Sequence, residues 1–159
     1  MGTLFSIQAA IDYPEKIPFL FLLAVPVRPW VRVSTVGTCL RVMRGKLRED
    51  DTAAWAMKNA TSIQLSNRIW EYIGWAPRMV ELLAECARIR KRLPELKVPC
   101  YTFQSQVDEL VSVRCCKDLE GNPCVSNTVL QHSGHFAYGT EDCEILRGQL
   151  GQLLSLYSK

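Results

Sequence analysis

The chain has 159 residues, of which 48% are hydrophobic and 22% charged, so it is long enough for one ordinary domain or for part of a larger one. A formal net charge of +3 is too small to indicate nucleic-acid binding, which usually needs a basic stripe on one face. The short basic run at 88–92 is explained more simply as a solvated helix end, where cations meet the negative end of the helix dipole.

Cysteine usage and hydropathy indicate the compartment. The seven cysteines are odd in number, include the adjacent pair Cys115 and Cys116, and form no C-x-x-C motif. Reduced thiols in the cytosol are therefore expected, with no metal site and no cofactor. The apolar stretch 17–27 has only 11 residues, too few to cross a bilayer. We expect a cytoplasmic protein without a membrane span.

The first two thirds of the chain predict helix, strand and then helices. Residues 3–11 carry apolar side chains at helical spacing, and 19–25 read as a buried strand. A helical pattern fills 26–95, and Asp50 or Asp51 is a candidate cap for the helix that follows. The segment 78–93 is amphipathic, with one apolar side.

The last third alternates between strand and helix. Apolar runs at 97–103 and 125–131 predict two strands, and a helix is expected between them at 112–119. A turn at 121–123 precedes the second of these strands, and a helix closes the chain at 141–156. This order predicts an α/β fold with about three parallel strands, flanking helices and an inserted block of helices over the sheet edge.

Two chemically active residues follow the last two strands. Asp108 comes just after the first of these strands and His135 just after the second. Parallel strands deliver such residues to one edge of the sheet, which is how a Ser-His-Asp triad receives its acid and its base. Ser105 and Ser133 are poor candidates for the nucleophile, because neither stands in a G-x-S-x-G turn between strand and helix.

Several motifs together resemble one family. Residues 108–111 read D-x-x-V, 133–135 read S-G-H, and 13–16 form a Tyr-Pro-x-Lys turn before an apolar strand. In this order and at these separations the motifs resemble the C-terminal half of an alpha/beta-hydrolase of the carboxylesterase, monoacylglycerol-lipase and serine-aminopeptidase type.

The resemblance implies a division of the chain and a set of roles. Residues 1–27 would follow the nucleophile elbow, 28–96 would form a helical cap, and 97–159 would be the core that carries the acid and the histidine. Asp108 would be the acid and His135 the base. The substrate would be a small carboxylic ester or amide.

The resemblance also places the nucleophile outside the chain. Met1 and Gly2 align with the last two residues of the elbow, so the serine would immediately precede Met1. The backbone N–H of Met1 would then be an oxyanion-hole donor. The missing N-terminal half of the fold would supply the other strands.

Simpler interpretations of the same residues stay open. Asp108 is also a candidate cap for a helix starting near Glu109, and Glu109 is a rival for the acid role. A solvated loop histidine is the less favoured alternative for His135, and His132 is expected to be structural or exposed. The four tryptophans of the helical block either line an acyl pocket or form a core between cap helices: Trp30, Trp55, Trp70 and Trp75.

Two functions from different classes follow. The first is a fragment of a serine hydrolase, inactive as this chain alone because the serine is absent. The second is a non-catalytic, hydrolase-derived protein that binds a partner. The strand at 19–25 would leave an apolar sheet edge that only Lys16 and Pro18, at its start, protect, which favours the fragment.

Overall fold

The structure is a computed structural model that describes residues 2–28, 30, 33–60 and 68–158. Within these ranges the helices are α1 (Gly2–Asp12), α2 (Val33–Met43), α3 (Thr52–Ala60), α4 (Trp75–Arg92), α5 (Cys115–Leu119) and α6 (Thr140–Tyr157). The strands are β1 (Leu20–Leu23), β2 (Cys100–Ser105) and β3 (Val125–Leu130). Short 3-10 turns occupy Pro14–Lys16, Ile69–Tyr72 and Leu93–Glu95. Parts of the predicted helical block, at 29, 31–32 and 61–67, lie outside the described residues.

The three strands form one parallel sheet in the order β1-β2-β3. Cys100 of β2 is in register with Leu20 of β1 on one side and with Val125 of β3 on the other. The predicted α/β class, with three parallel strands flanked by helices, is confirmed. Because the strands are parallel, the loops after β2 and β3 leave the same edge of the sheet.

The hydrophobic core lies between the sheet and helices packed on it, among them α1 and α4. Leu4, Ile7 and Ala10 form the buried face of α1, at the helical spacing that the sequence predicted. On α4, Cys86 and Ile89 are buried in the same cluster. The predicted apolar side of α4 also packs against this cluster at Leu82, whereas Met79 nearer its start is 47% exposed.

The structure settles where α3 and α5 begin. Asp51 and not Asp50 caps α3, because its Oδ1 accepts a hydrogen bond from the backbone N–H of Ala54 at 3.0 Å. The helix predicted at 112–119 is shorter, since α5 begins only at Cys115. The backbone N–H of Arg114 donates instead to Ser112 Oγ in a turn before that helix.

The tryptophans do not form a core between helices, so that interpretation is wrong. Their exposed fractions run from 38% to 68%, in the order Trp55, Trp75, Trp30 and Trp70. These rings instead add to the exposed apolar surface of the segment between β1 and β2. None of the helices in the described ranges combines the length and apolarity that a bilayer crossing demands.

A buried asparagine ties the end of the helical block to the sheet. Asn122 Nδ2 donates to the carbonyl oxygens of Leu93 and Leu96 at 2.7 and 2.9 Å. Its Oδ1 accepts from the backbone N–H of Cys124 at 2.7 Å, just before β3 begins. The side chain thus joins the two connections that flank β2.

We expect Asn122→Ala to lower the free energy of unfolding by about 2–4 kcal/mol, because two buried carbonyl groups lose their donor. Urea denaturation followed by circular dichroism measures the change. Asn59→Ala, at an exposed position in α3, is the control and should stay within about 0.5 kcal/mol of the unmodified protein. Equal effects of the two substitutions would contradict this role for Asn122.

Candidate active site

The loops after β2 and β3 bring Asp108 and His135 into direct contact. His135 Nδ1 lies 3.0 Å from Asp108 Oδ2. The last residues of the two strands, Ser105 and Leu130, are in register, so both loops start at the same height on the sheet edge. The two candidate site residues that the sequence singled out after these strands are therefore neighbours.

Asp108 is a buried carboxylate, with only 3% of its surface exposed. Its Oδ1 accepts hydrogen bonds from the backbone N–H groups of Leu110 and Val111, each at 2.7 Å, so one oxygen organises the turn and the other faces the imidazole. No α-helix begins at Glu109 in the described chain, so the helix-cap interpretation is wrong in that form. Burial alone raises the pKa of Asp108, but the hydrogen bonds from His135 and the two N–H groups outweigh it and hold the pKa below its ordinary value.

His135 is partly exposed, and its interactions fix the state of its ring. Its side chain is 32% exposed, whereas that of Asp108 is 3% exposed. The hydrogen bond with Asp108 raises the pKa of His135, burial opposes this, and the charges of Asp108 and Glu109 add to the rise. An ionised carboxylate can only accept, so Nδ1 carries the proton and Nε2 of the neutral ring keeps a lone pair. Nε2 of the neutral ring is therefore able to accept a proton while Asp108 holds Nδ1.

Glu109, the rival for the acid role, contacts the histidine elsewhere. Its Oε2 accepts the backbone N–H of His135 at 2.6 Å, and the ring is left to Asp108. Met1, the candidate oxyanion donor, lies outside the described residues.

The two loop serines serve the scaffold. Ser105 Oγ donates to the carbonyl oxygen of Ser133 and accepts the backbone N–H of Val107 at 3.2 Å. Ser133 Oγ donates to Asp142 Oδ2 at 2.6 Å. Both serines are buried, and their hydroxyl groups are engaged in holding the two loops together. This agrees with the prediction that neither is the nucleophile.

Asp142, which the sequence did not single out, anchors the histidine loop. It is 2% exposed, and its Oδ2 accepts the backbone N–H of His132 at 2.8 Å as well as the Ser133 hydroxyl. Burial raises the pKa of Asp142, but these hydrogen bonds outweigh it and the pKa is lowered. The one signal in the sequence is an acid in the first turn of the closing helix, a position that usually means only a favourable dipole interaction.

His132 is an exposed residue, which is one of the two alternatives expected for it. Its side chain is 63% exposed, and its Nε2 lies 3.4 Å from Glu141 Oε2. Across the residues that the structure describes, His, Cys, Asp and Glu side chains nowhere gather into a group of three that could hold a metal ion.

The structure is similar to solved alpha/beta-hydrolases. One of the metagenome-derived lipolytic enzymes LipS and LipT superposes with a TM-score of 0.58 at 16% identity, covering 98% of this chain and 62% of that one. The monoacylglycerol lipase of Paleococcus ferrophilus gives 0.57 at 16%, covering 96% and 64%. The 2-hydroxy-6-oxo-6-phenylhexa-2,4-dienoate hydrolase of Rhodococcus sp. strain RHA1 gives 0.54 at 13%, covering 100% and 62%. Searches with the sequence against family models and curated proteins find no match.

These comparisons establish the fold. The chain has a partial alpha/beta-hydrolase fold, and it spans less than two thirds of the length of each of these three structures. The fold resemblance inferred from the Asp-x-x-Val and Ser-Gly-His motifs is therefore confirmed.

Asp108→Asn should lower the pKa of His135, because the ring loses its anionic partner. Nuclear magnetic resonance titration of the imidazole carbons measures this pKa, with the exposed His132 as internal control. A His135 pKa that is unchanged in a folded Asp108→Asn variant would contradict the assignment.

The same pair predicts how stability depends on pH. Because folding raises the pKa of His135, this residue stabilises the fold at pH values below the ordinary histidine pKa. That stabilisation is lost as the pH rises through the pKa of the folded state. Because folding lowers the pKa of Asp108, this residue stabilises the fold at pH values above the ordinary aspartate pKa. That stabilisation is lost as the pH falls through the pKa of the folded state. The free energy of unfolding of the unmodified chain should therefore exceed that of Asp108→Asn most between about pH 4 and 6.5.

Proposed function

We propose that this chain is part of a serine hydrolase that cleaves carboxylic esters or small amides, with Asp108 as the acid and His135 as the base of a Ser-His-Asp triad. The observation that carries the proposal is the 3.0 Å contact between a buried carboxylate and a partly exposed imidazole at the ends of two adjacent parallel strands. The fold shared with lipases and esterases supports it.

The chemistry follows from the two residues. A serine hydroxyl attacks a carbonyl carbon only when a base accepts its proton, and His135 Nε2 has the free lone pair for this. The protonated ring then returns the proton to the leaving alcohol or amine. Asp108 holds the ring with Nδ1 protonated and stabilises the imidazolium that forms during attack. In our proposal the serine belongs to a segment that precedes Met1, and the Met1 N–H is one oxyanion donor.

Residues 1–27 and 97–159 form the hydrolase core, and the helices within 28–96 form a cap that shapes an apolar acyl site. The missing N-terminal half adds its strands beside β1, which pairs only with β2 in the described residues. Because the seven cysteines are all free, we place the protein in a reducing compartment, the cytosol.

A non-catalytic binding protein remains the second candidate. The exposed apolar side chains in the segment between β1 and β2, such as Trp70 and Ile73, would suit a binding role. A binding role gives no reason, however, for a buried Asp108 that faces a partly exposed imidazole. That pair favours the hydrolase.

The 159-residue chain alone should not hydrolyse esters above the buffer rate, because loss of the nucleophile removes about a millionfold of such a triad's rate. Release of p-nitrophenol from short-chain esters and covalent labelling by a fluorophosphonate measure this, and His135→Ala should change neither signal. Labelling that depends on His135 would show that a serine inside this chain is the nucleophile.

A further inference from the structure

Two consecutive carboxylates hold the same histidine at two points. Asp108 binds the imidazole at Nδ1, and Glu109 binds the backbone N–H of His135 at 2.6 Å. A hydrogen bond to a charged acceptor is roughly twice as strong as one between neutral groups. The carboxylate of Glu109 therefore restrains the main chain from which the His135 ring extends.

The residue before the histidine leaves room for this contact. A Cβ atom on Gly134 would lie 2.7 Å from Glu109 Oε1, closer than van der Waals contact permits. The N–H of Gly134 is used in a turn that returns to the carbonyl of Ala137 at 2.8 Å. A glycine at 134 thus allows a carboxylate to approach the His135 backbone, which a larger residue would obstruct.

Glu109 is itself fixed by a helix from the block between β1 and β2. Thr35 Oγ1, on α2, donates a hydrogen bond to the carbonyl oxygen of Glu109 at 2.9 Å. Thr35 is 3% exposed, so water does not compete freely for this bond. The contacts form a continuous chain from α2 through Glu109 to His135.

We propose that Glu109 is a positioning residue for His135: its carboxylate fixes the histidine backbone so that the ring meets Asp108, and Thr35 of α2 fixes Glu109. The role in hydrolysis rests on the proposed function, but the clamp itself is a property of this chain. A rearrangement of α2 would then move the main chain of Glu109 and, with it, the carboxylate that accepts the His135 N–H.

The charges around the ring agree with this role. The hydrogen bond with Asp108 raises the pKa of His135, and the charge of Glu109 raises it further. Tyr138 also lies near the pair, and burial and then the Asp108 charge raise its pKa, so it stays neutral. Removing the charge of Glu109 should therefore be visible at the ring, although the ring does not bind Glu109.

The test uses nuclear magnetic resonance on the 159-residue chain, with three readouts: the His135 pKa, its Nδ1 proton signal and the exchange rate of its amide. Glu109→Gln keeps an acceptor but removes the charge, and Glu109→Ala removes both. Gly134→Ala pushes the carboxylate away without changing it. Glu141→Gln, beside His132 at 3.4 Å, is the matched control.

We expect Glu109→Gln to lower the His135 pKa and leave the amide largely protected. Glu109→Ala and Gly134→Ala should also speed amide exchange about tenfold or more and broaden the Nδ1 proton signal. Glu141→Gln should leave all three His135 readouts unchanged. If Glu109→Ala does not fold, Glu109→Gln still tests the His135 pKa, and Gly134→Ala and Thr35→Val still test the amide exchange, which both should speed.

Unchanged readouts for His135 in a folded Glu109→Gln and a folded Gly134→Ala variant would overturn the proposal. None of the three readouts requires ester hydrolysis, so they test the positioning role of Glu109 separately from the proposed function. An intact clamp in a protein whose gene encodes no Gly-x-Ser segment before Met1 would count against the hydrolase and leave the role of Glu109 as a structural one.

Discussion

The site depends on a carboxylate that is buried at the edge of a parallel sheet. Asp108 could not stay ionised at 3% exposure without donors, since burial of an unpaired charge is costly. Two backbone N–H groups satisfy one of its oxygens and the His135 ring satisfies the other. The turn after β2 and the position of the imidazole are therefore set by the same side chain.

The register of the sheet makes this contact possible, and the loop contacts maintain it. β2 and β3 end side by side at Ser105 and Leu130, so each loop has a fixed origin. The Ser105 hydroxyl then binds the main chain of the other loop, and Asp142 holds the start of that loop from α6. Each of these groups is buried and paired, which is how a small polar network gives one defined geometry.

The sequence was sufficient for the strands and the acid–histidine pair, because apolar runs and the residues that follow them are local features. It was not sufficient for Asp142 and Glu109, whose partners are backbone N–H groups that only the folded loops bring near. It also could not show what covers an apolar face, so the tryptophans were open to a core interpretation that the structure rejects. β1 is shorter than the predicted 19–25, because Ala24 adopts a positive φ of 51°.

The central claim is that Asp108 and His135 serve a nucleophile encoded just before Met1. The genomic DNA directly upstream of the Met1 codon tests it most directly. We predict in-frame codons for Gly-x-Ser ending immediately before Met1, preceded by further strand–helix repeats. A stop codon followed by a ribosome-binding site at that place would contradict the claim, and the function would then have to be sought in binding.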